Sequence, residues 1–191
     1  VAVTPPPSGH RRLSRAALTA ATVVIALAAV IGLVSFLNGR DSSGVSSTPS
    51  GSGQAFANQG AQHLRPGQRP PAPYNSSPPT SGAHVPSPVT RDDARVTDDQ
   101  LLSALEAGNV VLAYGTPTAP PGLQALATDV AGAPFDPSLA RAGQAVILAR
   151  RPGTPGVVAV AWRHLLRAAS PRDPALKAFV DDWLGVGARG K

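Results

Sequence analysis

The sequence predicts an α+β fold: one small extracytoplasmic α+β domain behind a single N-terminal transmembrane helix. Three observations lead there. Residues 16–39, AALTAATVVIALAAVIGLVSFLNG, hold 24 positions without a charge. From residue 97 onward apolar residues alternate between helical spacing and short β-branched runs. Between the two lies chain too rich in Ser, Gly and Pro to carry either pattern.

Residues 1–15 read as a short cytoplasmic tail, stiffened by Pro5-Pro6-Pro7. A helix over 16–39 rises about 36 Å, enough to cross a hydrocarbon core of roughly 30 Å. Arg11, Arg12 and Arg15 precede it and only Arg40 follows, so the positive-inside bias places the N-terminus in the cytoplasm and the rest outside. The expected location is the cell membrane, single-pass. A cleaved signal peptide is the alternative, but its apolar core spans only about 7–15 residues and ends at a small-residue site. Phe36-Leu37-Asn38-Gly39-Arg40 offers none.

Residues 40–59, with their SSGVSSTPSGSG run, read as a flexible linker holding the outer region near the bilayer. Residues 60–96 are dense in proline, including Pro70-Pro71 and Pro78-Pro79. Such a segment is no helix and at best an edge strand, so it is either disordered or an ordered extended strap. Folded structure is expected over residues 97–191. Thr97-Asp98-Asp99-Gln100 fits a capping box, with Leu101, Leu102 and Leu105 as the apolar face and Gly108 as the stop. Val110 to Tyr114 is apolar on both faces and suits a central strand. Leu123, Leu126, Ala127 and Val130 form a helical stripe. Ala145–Ala149 and Val157–Trp162 read as two strands joined by a hairpin loop over 150–156. Asp173-Pro174 opens a last helix bearing Leu176, Phe179, Val180, Trp183 and Leu184. The predicted order is αβαββα with about three strands.

The absence of cysteine excludes disulfides, zinc–thiolate sites and thiol chemistry. Half of the net charge of +6 lies before residue 60, where topology accounts for it. The outer region has no clustered basic run and few aromatics, so a nucleic-acid partner is not expected.

Tyr74-Asn75-Ser76-Ser77-Pro78-Pro79-Thr80-Ser81-Gly82-Ala83-His84 closely resembles the YNSNPPTSGPH-like signature of a bacterial envelope family catalogued as domain of unknown function 3105. His63 is similar to a further histidine upstream of that signature. Leu105-Glu106-Ala107-Gly108-Asn109-Val110-Val111 resembles the family's LEHGNVV-like helix-to-strand junction. Val160-Ala161-Trp162 and Lys177-Ala178-Phe179 are similar to its closing strand and helix. The resemblance covers about residues 60–184 and implies that residues 60–90 are ordered. Asn75 and Ser81 are then placed to satisfy backbone groups, and Gly82 to take a φ that other residues disfavour. Where the family usually has His, this chain has Ala107.

With that third histidine, His63 and His84 would make a divalent-metal site, for which imidazole suits zinc or copper. Ala107 removes one ligand and makes the site degenerate, so only His164 or a carboxylate such as Glu106 is left to complete it. Ligation by both histidines requires imidazoles that face one another at about 3–4 Å, not rings pointing apart across more than about 8 Å. His164, two residues after Trp162, reads more simply as a strand-end residue shielding that ring. Ser81 and His84 lack the G-x-S-x-G elbow of a hydrolase. Asp92-Asp93, Asp98-Asp99 and Asp181-Asp182 lack the spacing of a calcium loop. The functional expectation is a non-enzymatic envelope interaction or accessory module with a membrane or envelope protein as partner. Extracytoplasmic binding of copper or zinc through His63 and His84 is the alternative.

Overall fold

Thr97 caps the first helix as its spacing to Gln100 predicts. The Gln100 amide donates to Thr97 Oγ1 at 3.3 Å, and the Thr97 amide donates to Gln100 Oε1 at 3.1 Å. Asp98 and Asp99 sit at the positive end of helix α1 (Asp98–Ala107), and Gly108, at φ 113°, ends it in the left-handed region. These features belong to a computed structural model that describes Val1 and residues 52–190. Among the described residues no helix is long and apolar enough to cross a membrane. The transmembrane helix expected at 16–39 lies outside them, as do the cytoplasmic tail after Val1 and the linker as far as residue 51.

One mixed sheet organises the domain. Its strands are β1 (Gln54–Ala55), β2 (Ala94–Arg95), β3 (Val110–Tyr114), β4 (Val146–Arg150), β5 (Val157–Ala161) and β6 (His164–Ala168), in the order β1-β6-β5-β3-β4-β2. β4 runs parallel to both β3 and β2, while β5 runs antiparallel to β3 and β6. All five side chains of β3 are buried, so period-2 alternation sends apolar residues into a layer on each face. Val111, Ala113, Ile147 and Val160 meet α1 and the short α3 (Pro137–Ala142) on one side. Leu112, Tyr114, Leu148 and Val157 meet α2 (Leu123–Ala131) and α4 (Pro174–Trp183) on the other.

The expectation of an α+β domain holds, but the αβαββα order with about three strands is corrected to a six-stranded sheet. β1 and β2 are two residues each, below the length at which alternation can be read. β6 follows β5 through the two-residue turn Trp162-Arg163, with Arg163 at φ 66°. The expected β4–β5 hairpin does not form, because β3 lies between those strands. A strand apolar on both faces gains most in the middle of a sheet, and the 150–156 loop arches past its end, where the Arg151 amide donates to the Tyr114 carbonyl at 2.8 Å. α3 went unread although Asp136-Pro137 repeats the cap-then-proline signal of Asp173-Pro174. Residues 54–55, inside the segment that composition reads as linker, pair with β6. Ser52 is tied to α4, its carbonyl accepting from Trp183 Nε1 at 2.7 Å.

Asn109 joins three elements from a buried position. Its Nδ2 donates to the carbonyls of Ala104 and Ala140, at 3.0 and 2.7 Å, and its Oδ1 accepts from the Ala145 amide at 2.9 Å. Replacing it by alanine leaves the buried Ala145 amide without its acceptor and unties α1 from α3, while the Ala104 and Ala140 carbonyls keep the backbone amides of Asn109 and Gly143. Asn109→Ala is therefore expected to lower stability by about 3 kcal/mol, read as a lower urea midpoint at unchanged slope.

Candidate metal centre

The strap folds back on itself through a short parallel pairing. The Gly82 amide donates to the Gly60 carbonyl at 2.8 Å, the His84 amide to Gln62 at 3.0 Å, and the Leu64 amide to His84 at 2.8 Å. His63 and His84 are directly opposite in that pairing, and opposed residues present their side chains on the same face. Their ring centroids lie 5.4 Å apart at 72°. Backbone hydrogen bonds thereby bring two sequence-distant histidines together.

The signature residues hold this arrangement. Asn75 Nδ2 donates to the Ala57 carbonyl at 2.8 Å, and Ser81 Oγ accepts from the Gln59 amide at 3.0 Å. Tyr74 donates its hydroxyl to the Ala83 carbonyl at 2.9 Å, while its ring lies against Gly82. Gly82 has φ 132°, and a Cβ there would come within 2.8 Å of the Tyr74 ring, so only glycine fits. Burial raises the Tyr74 phenol above its ordinary pKa, with the charges of Asp99 and Asp98 adding to the effect.

Helix α1 supplies the other half of the site. Asp99, Ser103 and Glu106 recur at helical spacing on a single polar face. Asp99 Oδ1 accepts from the Val85 amide and Ser103 Oγ from the Ser87 amide, each at 2.9 Å. One turn further on, Glu106 Oε2 lies 2.9 Å from His63 Nε2 and 3.3 Å from His84 Nε2.

His84 decides what this cluster can do. The ring is fully buried, and its Nδ1 lies 3.0 Å from the Gly82 carbonyl, which only accepts. Nδ1 therefore carries the proton, and in the neutral ring Nε2 presents a lone pair. Although Nε2 is within ion-pair distance of Glu106, it makes no hydrogen bond, because the direction between them is wrong for one. A buried Nε2 beside a carboxylate oxygen but not directed at it is left without a partner, and a cation set off the line between the two atoms would satisfy both. Two donors about 2.0–2.1 Å from one tetrahedral zinc are themselves about 3.3 Å apart. The donor atoms of His63, His84 and Glu106 all lie within 4.8 Å of one another, so the group can hold a metal ion after small side-chain adjustments.

The remaining candidates lie elsewhere or are engaged otherwise. His164 does not complete the cluster: it stacks on Trp183 at a 3.5 Å centroid separation, with Nδ1 2.9 Å from the Trp162 carbonyl. Ala107 borders the same cleft as His63 and Glu106 but brings no donor. Ser81 is committed to Gln59 and Ala57. Asp98 pairs with Arg151 at 2.7 Å and Asp181 with Lys177 at 2.8 Å. Sequence reading named Glu106 only as one carboxylate among several. The signal that selects it is the Asp99, Ser103, Glu106 stripe, visible at i, i+4 and i+7.

The family model described as protein of unknown function (DUF3105) matches residues 68–187, and the chain belongs to that family. The match includes His84 and Glu106, while His63 lies just before it. No curated protein and no solved structure matches the chain.

The position of His164 carries a pH dependence separate from the cluster. Burial lowers its pKa from 6.5, the hydrogen bond to Trp162 opposes that shift, and the Arg163 charge reinforces it. The fold thus favours the neutral ring, and the unfolded chain takes up the proton first. Stability from this residue is full above about 6.5 and is lost as pH falls below it. Thermal melts in chelator between pH 7 and 5 should show a smaller acid-induced fall in His164→Phe than in the parent chain.

Proposed function

We propose that this member of the DUF3105 family is a divalent-metal-binding domain that holds zinc or copper outside the cytoplasm. The ligands are His63 Nε2, His84 Nε2 and a carboxylate oxygen of Glu106. The observation that carries the reading is the buried His84 Nε2, without a hydrogen-bond partner and 3.3 Å from Glu106 Oε2. Its orientation supports the same chemistry, since a metal-bound histidine ordinarily donates its other ring N–H to a carbonyl or carboxylate. Two imidazoles and one carboxylate suit zinc and copper, and calcium and magnesium poorly.

The role is non-enzymatic: a membrane-tethered accessory module that takes up or presents a metal ion to a membrane or envelope partner. Support for the location comes from the uncharged run at 16–39 and the arginines that precede it.

Calorimetric titration of the full chain with zinc and with copper(II) tests the reading. One equivalent is expected to bind, with affinity at least tenfold weaker in His63→Ala and in Glu106→Gln. Metal at about 100 times its dissociation constant should add about 2.7 kcal/mol of stability, a gain that shrinks in both variants. Metal binding of equal strength in the parent and both variants would place the metal elsewhere and overturn the assignment.

A further inference from the structure

Three protein donors leave a zinc or copper ion with an open coordination position. A cavity of about 460 Å³ borders two of those donors, His63 and Glu106. This is the scale of pockets that enclose small organic ligands. Much of its wall is apolar, and the part open to solvent comes from Pro86, Pro88 and Ala107. Two exposed arginines, Arg141 and Arg189, complete the lining, and neither guanidinium makes an ion pair or hydrogen bond among the described residues. Asp136, which feels the Arg141 charge, is committed to capping α3 through the Ser138 amide at 2.7 Å.

We infer that this cleft binds a small organic carboxylate whose carboxyl group fills the open position of the bound metal. Its apolar body lies against Pro86, Pro88 and Ala107, and Arg141 and Arg189 supply positive charge around it. The inference rests on the metal reading above. Without the metal, the Glu106 carboxylate repels an incoming carboxylate; with it, that corner of the cleft becomes cationic. Metal and carboxylate therefore bind with positive coupling, and each must raise the affinity of the other by the same factor. An inorganic anion would leave the apolar wall in contact with water, so the wall selects an organic one.

Benzoate is a suitable probe and benzamide its neutral isostere. Titrated into the full chain, benzoate should bind about tenfold or more tightly with saturating zinc than with chelator, and benzamide should show no such gain. The double variant Arg141→Gln/Arg189→Gln should weaken benzoate binding several-fold while zinc affinity in the absence of benzoate is kept. Zinc binding with unchanged benzoate affinity would overturn this inference and leave the metal site standing. Equal zinc-dependent binding of benzamide would reduce the cleft to an apolar pocket and also overturn it. Failure of both zinc and copper(II) to bind would overturn both readings.

Discussion

Helix α1 buries Leu101, Leu102 and Leu105 against the sheet with one face and holds the proline-rich strap with Asp99, Ser103 and Glu106 on another. Proline cannot donate to a β-ladder, so a Val85-Pro86-Ser87-Pro88 segment has no means of joining the sheet along its length. It still has the amides of Val85 and Ser87, and α1 supplies an acceptor for each. Thr80, Ser81 and His84 are fully buried, with the Thr80 carbonyl accepting from the Arg163 amide, Ser81 Oγ from the Gln59 amide, and His84 paired through its backbone to Gln62 and Leu64. The geometry of the histidines follows from the fixing of the strap, and Glu106 is the next residue along the stripe that fixes it.

Burial and exposure are divided unevenly across the cluster. His84 is fully enclosed, whereas the His63 side chain is 55% exposed and that of Glu106 25%. The buried ring is held in one orientation, since a half-turn would place Cδ2 where Nδ1 is and forfeit the hydrogen bond to the Gly82 carbonyl. Cost of desolvation therefore falls on one residue already oriented by the backbone, and the two exposed donors retain room to adjust. His63 and Glu106, the two exposed donors, border the cleft. A metal bound there as proposed would meet one preset donor and two able to adjust to it.

Local signals in the sequence described local structure well. The Thr97 capping box, the Gly108 stop, the doubly apolar β3 and the Asp173-Pro174 helix start all depend on neighbours within a turn or two. Long-range features were less legible. Nothing in Gln54-Ala55 or Ala94-Arg95 marks a strand, because each is a two-residue extension recruited by an edge already formed. Composition reads the residues around Ser52 as linker, yet a backbone carbonyl needs no special side chain to accept from Trp183. The hairpin expected at 150–156 fails for a related reason: adjacency in sequence favours pairing, but the burial of β3 on both faces outweighs it. At the site, the histidines could be picked out by resemblance, and their juxtaposition depends on a parallel backbone pairing without a sequence signature.

Charge balance joins the donor set to the cleft beside it. Two neutral imidazoles and one carboxylate leave a divalent ion with a net charge of about +1, partly exposed on the side of the cavity. Ala107 borders the same cleft and brings no donor, so the donor set stays at three. With Ala107 there, a ligand entering the cleft has both a coordination position and a residual positive charge to meet. Arg141 and Arg189 have the same sign as that residual charge, so they add to it at the approach and hinder a second cation. A donor set one ligand short is therefore more than a weakened version of a closed site. The proposed metal, held by His63, His84 and Glu106 alone, would keep one face open toward the cleft, and that face is where an anion would meet it.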